Sequence, residues 1–453
     1  MQKRRLPKVG GVKQKKICIN RLNFGKPPSY LYNVLDFQKL SALYQQALLR
    51  QVVPFWLKNS RDMKCGGYFD LLSTTGEVIE GDKFVTQQAQ QVWAFAWLYN
   101  NLDGQPAWLE HAQHGAAFLY QFAHTDTLTC YAQLDRRGRP VAAATDVTPD
   151  CSTAMAYAQL HQATGNDEWA MLAKQLATPL LRRWEETRIQ QIEQLGAFRQ
   201  IRHLSEPIAL LKMLLEMQPL VEEEHWKQQA EVLVQEILNE FVDKRTDVLR
   251  EYVLPEGSFI NTPEGRRINV GLTFQTASCL LDFCAETTPS RTGLIGNKQR
   301  KLAMQVVQWC LRLCAQSWDE LGGGLNQFID FKQQPVLFPD WQQKWAWIHV
   351  EALAALLKCH FYTRQSECLT WFKRINDYTL HHFPDPKQTG WHLVIDQHGQ
   401  PLINVKSIPS AGCYSLIRCL TEIAQLLTKC EQAQLKAPAR FPKVVPAVGS
   451  GSV

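Results

Sequence analysis

Apolar residues recur at i, i+3, i+4 and i+7 in twelve segments of this chain, near 36–58, 82–101, 105–122, 150–164, 166–184, 204–217, 222–241, 269–285, 298–316, 340–361, 364–381 and 411–430. That spacing gathers the apolar side chains of each segment on one stripe, so each predicts a helix packed along one face. Between the helices the period changes. Five times an extended apolar or aromatic stretch, a polar turn and a second extended stretch follow one another: GGYFDLLSTTGEVI from Gly66, YAQLDRRGRPV from Tyr131, LREYVLPEGSFI from Leu249, GGGLNQFIDFKQQPV from Gly322 and GWHLVIDQHGQPLI from Gly390. Each reads as a β-hairpin with glycine in the turn or at its entry. Twelve helices make six pairs, and pairs with hairpins inserted on one face predict an all-α fold, an (α/α)6 barrel with short β-hairpins gathered at one end. An open solenoid would show a more uniform repeat length and no recurring hairpins. A closed array has its natural pocket where the hairpins gather.

Length alone, 453 residues, suggests two or three domains, but a repeat array closes one large domain. The barrel is expected to fill residues 36–430. A basic, disordered tail is expected over 1–35 and a loose tail rich in Pro, Gly and Ser over 431–453. Composition adds that 45% hydrophobic residues and 14 tryptophans supply ample core. The net charge of +6 is local: residues 1–35 hold nine Lys or Arg and no acid, and the remaining 40 basic against 43 acidic residues are near balance. The body therefore gives no reason to expect a nucleic-acid partner. The N-terminus lacks the apolar run of a secretory signal, and no apolar stretch has the length of a membrane span, so a cytoplasmic protein is expected. Thirteen cysteines without a C-x-x-C pair, several inside apolar helical patterns such as Cys279, Cys310, Cys314 and Cys359, read as reduced core residues.

Candidate chemistry begins with the segment from Lys344 to Leu353, which carries Lys344, Trp347 and Glu351 at i, i+3 and i+7. A cation, an indole and a carboxylate on one inner stripe suit a sugar, since indoles pack on pyranose faces and charged groups bond hydroxyls. The same pattern also suits a surface charge stripe with one core Trp.

Six landmarks in order resemble the N-acylglucosamine 2-epimerase superfamily, which includes mannose isomerase, cellobiose 2-epimerase and renin-binding proteins. Pro54-Phe-Trp56 with Asp62 and Gly66-Gly-Tyr-Phe69 is similar to its opening, Gln88-Ala-Gln-Gln-Val-Trp93 to its Q-A-R segment, and His203-Leu-Ser-Glu206 to its H-x-x-E-A segment. Arg267-Ile-Asn-Val-Gly271 resembles the approach to G-H-x-x-E, Lys344 to Ala352 the K-x-W-W-x-x-x-E-A helix, and Gly412-Cys-Tyr-Ser-Leu-Ile-Arg418 the terminal G-C-[FY]-H-x-x-R segment. The resemblance covers about residues 36–430. It implies an (α/α)6 fold, proton transfer at C2 of a reducing sugar such as mannose or N-acetylmannosamine, no metal or other cofactor, and a possible homodimer.

The resemblance also implies which side chains move the proton: histidines as base and acid, with an Arg at the enolate oxygen. Here the chain departs. The Arg position of Q-A-R is Gln90, the His and Glu positions of G-H-x-x-E are Leu272 and Gln275, and the terminal His position is Ser415. Leucine carries no proton, and an unassisted serine is a poor base. His203, Glu206, Lys344, Trp347, Glu351, Trp391 and Arg418 remain at matching positions.

Of these, His203 and Arg418 are the candidate catalytic pair, with His392 at a strand start as a displaced base. Glu206, Lys344, Trp347, Glu351 and Trp391 are candidate sugar-binding residues. His203 precedes a helix whose first turn holds Pro207, where capping a backbone group is an equal reading. His381 and His382 close a helix, where positive charge suits the macrodipole, and His349 reads as packing. Three functions follow: an isomerase or epimerase with rearranged proton carriers, a non-catalytic sugar-binding relative, or an (α/α)6 glycoside hydrolase using carboxylates such as Asp150 and Glu351.

Overall fold

The computed structural model describes residues 35–193, 201–287 and 295–436. Twelve long helices occur among them, each overlapping its predicted place. They are α1 (Phe37–Ala47, continuing through a π-helical turn Leu48–Val52 into Val53–Asn59), α2 (Val85–Asn101), α3 (Pro106–Phe122), α4 (Thr148–Thr164), α5 (Asp167–Glu193) and α6 (Ser205–Met217). Then come α7 (Glu223–Glu236, continuing into a π-helical turn Ile237–Phe241), α8 (Val270–Thr287), α9 (Arg300–Ser317), α10 (Ala346–Thr363), α11 (Glu367–His382) and α12 (Tyr414–Lys436).

Burial separates these into two layers. In α4 every residue from 149 to 160 is buried, and in α10 every residue from 348 to 359 is. A helix covered all round must lie between two neighbours. By contrast, α9 buries Ala303, Val306, Val307, Cys310, Cys314 and Ser317, one stripe at helical spacing with polar residues opposite. The even-numbered helices pack in succession around an axis, and α12 closes on α2; each odd-numbered helix covers an inner one, with α1 lying on α12. That closure distinguishes the barrel from a solenoid. Small residues such as Ala154, Ala156, Ala158, Ala352, Ala354 and Ala355 let the inner helices approach closely.

The extended segments stitch the barrel together at the N-terminal ends of the inner helices. Lys83–Phe84 enters α2 and pairs antiparallel with Tyr131–Leu134, and Arg202–His203 enters α6 and pairs with Tyr252–Val253. Arg267–Asn269 enters α8 and pairs with Phe328–Asp330, while Lys344–Trp345 enters α10 and pairs with Val394–Ile395. In each case the strand before an inner helix takes its partner from beyond the next outer helix. Two of the five expected hairpins also pair internally, Leu71–Leu72 with Val78–Glu80 and Tyr131–Leu134 with Pro140–Ala143. Two more hold internally by single bridges, Leu254 to Ser258 and Ile395 to Pro401, whereas the segment from Gly322 forms no hairpin of its own: Leu325 bridges Trp318 upstream and Phe328–Asp330 pairs with Arg267–Asn269. A hairpin of two or three residues per strand is marginal alone, so its backbone groups are satisfied by the neighbouring repeat. The ring shuts where Ser73 bridges Val405 and Lys406 N–H donates to Leu72 O at 2.9 Å.

Three boundaries differ from expectation. The helix expected to end near 184 runs on to Glu193. The helix expected from 340 starts at Ala346, because Lys344 and Trp345 are strand. The expected C-terminal tail loses residues 431–436 to α12. Residues 437–453 and all but Leu35 of the basic segment lie outside the described residues. Every cysteine among the described residues is unbridged and all but Cys65 are buried. No described helix is long and apolar enough to cross a membrane.

Candidate functional site

The strand end of the barrel holds an axial cavity of about 490 Å³ to which all six inner helices contribute. Local sequence explains how they are aimed. In the first landmark of α2, Gln88 turns away from the cavity and clamps the first hairpin: its Oε1 accepts from Tyr68 N–H at 2.7 Å, and its Nε2 donates to Asp70 Oδ1 at 2.8 Å. Gly67, at φ 68°, passes so close that a Cβ there would meet Gln88 Oε1 at 2.6 Å. With Gln88 fixed, Gln90 and Trp93 face the axis. At the start of α8, a Cβ on Gly271 would lie 2.1 Å from the Trp347 ring, so glycine there makes room for the indole at the cavity wall. Asn269 Oδ1 accepts from Leu272 N–H at 3.1 Å, fixing the first turn that presents Leu272 and Gln275.

The lining therefore contains His203, Trp347, Gln90, Leu272, Gln275 and Ser415 of the residues singled out from sequence. The departures at 90, 272, 275 and 415 all stand on the cavity wall. His203 is held on two sides. Its Nε2 lies 3.2 Å from Glu251 Oε1, while Nδ1 accepts from Ser205 N–H at 3.2 Å and from the Ser205 hydroxyl. A carboxylate only accepts, which assigns the ring proton to Nε2. Glu251 is gripped by Arg267 at 2.9 and 3.0 Å, and the Tyr252 ring lies beside the imidazole with centroids 4.6 Å apart. Ser205 lines the cavity, so Nδ1 is the nitrogen on the cavity side.

Below this space lies a second cavity of about 130 Å³, and Trp93, Met155, Lys212, Gln275 and Tyr414 border both. Beneath that floor the axis is charged. Glu351, fully buried, accepts from Ser415 Oγ at 2.9 Å, from Gln275 Nε2 at 2.8 Å and from Arg418. Burial pushes its carboxyl up, but Arg418 and Lys212 outweigh that and hold it at about 2. Arg418 also forks onto Glu422 at 3.0 and 3.1 Å, and Lys358 joins Glu422 to Asp282 at 3.3 and 2.7 Å. Glu351 thus anchors cavity residues from beneath and does not itself line the space, and Arg418 borders the lower cavity.

Other sequence candidates lie elsewhere. Lys344 is a strand residue whose ammonium is enclosed by Asn326 and, at 3.2 Å, Asp319, so it pins the 319–326 loop and shares no helical stripe with Trp347. Trp391 stacks on Phe383 and donates to Gln51 Oε1 at 3.0 Å, away from the axis. Leu393 lines the cavity and His392 does not; the charges beside His392 are Lys406 and Asp385. Glu206 borders a separate outer space of about 830 Å³ with Asp150, Arg183 and Arg202. Asp150 and Glu351 therefore do not face each other across one cavity. His349 is packing: Nε2 accepts from Leu325 N–H at 2.9 Å and Nδ1 donates to Trp345 O at 2.8 Å. Among the described residues no cluster of His, Cys, Asp or Glu has metal-binding geometry. Sequence reasoning missed Trp93, Tyr414 and Lys212. The last carried a signal, as the one charge inside the apolar run Ile208–Leu215 of α6.

A family description, N-acylglucosamine 2-epimerase, matches residues 67–415. The N-acylglucosamine 2-epimerase of Mus musculus is 28% identical over 403 residues, covering 86% of this chain and 92% of the mouse protein. Among solved structures, cellobiose 2-epimerase from Bacillus thermoamylovorans B4167 superposes with a TM-score of 0.73 at 19% identity, covering 85% of this chain and 99% of that one. A D-mannose isomerase gives 0.72 at 16% identity, covering 88% and 100%. At such identities the superpositions establish a shared fold.

Proposed function

Since this chain belongs to the N-acylglucosamine 2-epimerase family, we propose that its axial cavity takes a reducing sugar such as mannose and that one imidazole, His203, moves a proton between C2 and C1, the chemistry of an aldose–ketose isomerase. The observation that carries this reading is that, among the described residues, His203 is the only imidazole in the cavity lining. Epimerisation at C2 removes a proton from one face and returns it to the other, which takes two carriers on opposite sides. Isomerisation moves a proton between adjacent carbons on one face, and one base suffices.

The rest of the lining suits the substrate. Trp93, Trp347 and Tyr414 offer aromatic faces for a pyranose, and Gln90, Asn269, Gln275 and Ser415 offer donors and acceptors for its hydroxyls. A volume of about 490 Å³ is ample for a monosaccharide. The N-termini of the inner helices point at this space, and their positive ends favour charge developing on an enolate oxygen.

One observation favours a second reading, sugar binding without turnover: both nitrogens of His203 already have partners, and Gln90, Leu272 and Ser415 supply neither imidazole nor guanidinium on the wall. Incubation with mannose, N-acetylmannosamine and cellobiose in deuterated water, followed by NMR with calorimetry in parallel, separates the two. Deuterium exchange with ketose formation is the expected result. Saturable heat without exchange supports binding alone, and neither exchange nor heat removes both.

A further inference from the structure

Lys212 stands apart from the other enclosed lysines. Lys83, Lys344, Lys358 and Lys406 are buried, and each has a carboxylate oxygen at 3.3, 3.2, 2.7 and 2.6 Å, respectively. Lys212 sits in the middle of the barrel on α6, at the floor between the two axial cavities, and its Nζ donates to a neutral amide, Gln275 Oε1, at 3.2 Å. Among the described residues no carboxylate lies within ion-pair distance of it. A cation held without a paired anion is costly, and that cost favours the uncharged amine, the form in which a lysine is a nucleophile.

The surrounding charges agree. Burial in the barrel is the largest influence on Lys212 and lowers its pKa; Glu351 from α10 pulls the other way, and Arg418 from α12 offsets it. Asp282 of α8, Glu422 of α12 and Glu216 one turn along α6 border the lower cavity with it, while α4 presents Met155 and no charge there. Glu216, enclosed in the same space, is itself raised to about 7 by burial, so it is a weaker counter-charge than an ordinary carboxylate.

We propose that Lys212 is a reactive amine of the sugar cavity, whose ε-nitrogen condenses with the carbonyl carbon of an open-chain aldose to form an imine. Its placement at the cavity floor, facing the space that the proposed sugar reading fills, carries this inference, and it rests on that reading. In the step the nitrogen lone pair forms a bond to C1, the two amine N–H protons pass to the carbonyl oxygen, which leaves as water, and a C=N bond replaces C=O; no oxidant or further reactant enters. Once protonated, such an imine withdraws electrons from the neighbouring C2–H bond more strongly than the carbonyl does. It supplies the electron sink that the Gln at position 90 cannot.

The test is reductive trapping. Full-length protein is incubated at neutral pH with sodium cyanoborohydride and either mannose or glyceraldehyde, a three-carbon aldose that needs no fitted sugar site, and the lysine adducts are mapped by peptide mass spectrometry. Lys212 is expected to be modified faster than the exposed Lys39 and Lys298, since a lowered pKa raises the uncharged fraction near neutrality. Lys212→Arg keeps the cation and should lose the adduct. Trapping of glyceraldehyde but not mannose supports the reactive lysine and overturns the reading of the cavity as a hexose site. Saturable mannose binding by calorimetry with Lys212 labelled no faster than Lys39 overturns the lysine proposal and leaves the sugar site standing. Absence of both binding and selective labelling overturns both.

Discussion

Glu351→Ala is expected to destabilise the barrel by about 3–5 kcal/mol, the usual cost of removing one partner from a buried ion pair. The reason lies in what the carboxylate holds. Arg418 would keep only Glu422 as a carboxylate partner, and Ser415 Oγ and Gln275 Nε2 would each lose an acceptor at the cavity floor. Each stranded donor retains its desolvation cost. A lowered urea midpoint at unchanged slope would register this loss. Glu351→Gln keeps the volume and should cost less, but it should also change the acid limb. The folded carboxyl sits at about 2, below the unfolded value of about 4.3. Its contribution to stability is therefore present above pH 4 and is lost as pH falls through 2. The Gln variant should show a flatter decline in that window. A midpoint within error of the parent for Glu351→Ala would mean that the axial charges are solvated and that the floor of the cavity is not held from beneath.

His203→Gln is expected to lower kcat on an aldose by about 10² to 10⁴, the range a positioned general base supplies, with little change in KM. Gln keeps a hydrogen-bonding partner for Glu251 and Ser205 but cannot take a proton from carbon. Equal losses in kcat and kcat/KM, without a shift in the melting transition, would locate the effect in proton transfer. A variant that retains turnover would assign the base elsewhere, and the remaining amine in the lining is Lys212.

Much of the barrel could be read from the chain because helical periodicity is a local property. The outer helices, such as α9, show a clean stripe. The inner ones were legible for a different reason, since an unbroken apolar run with many alanines, as in α10, must be covered on all sides. Pairing was less legible. Strands of two or three residues take partners from another repeat, and the segments from Leu249 and Gly322 contain nothing that names that partner. The same limit misplaced Lys344. Continuing the helical spacing back from Trp347 put it on the stripe, but pairing of Trp345 with Val394 makes the segment a strand and turns the ammonium toward Asp319.

At the site, motif order placed Gln90, Leu272, Gln275 and Ser415 on the cavity wall, since each has a fixed offset from a helix start. It did not separate side chains that meet the cavity from those one layer beneath. Glu351 and Arg418 share motifs with lining residues yet lie under them. Depth along the axis depends on how six helices converge, which no single helix encodes. Lys212 carries little signal in sequence because a lone lysine in an apolar helix usually extends its head to water on the outer surface; inside a closed ring the head meets the axial cavity instead.

The most direct measurement follows the hydrogen at C2. Mannose carrying deuterium at C2 is incubated with the protein in ordinary water, and the products are resolved by NMR. A single base predicts the ketose as product, with part of the deuterium delivered to C1 and the rest lost to solvent. Formation of the C2 epimer as the main product would show a second proton carrier on the opposite face and contradict the one-imidazole account.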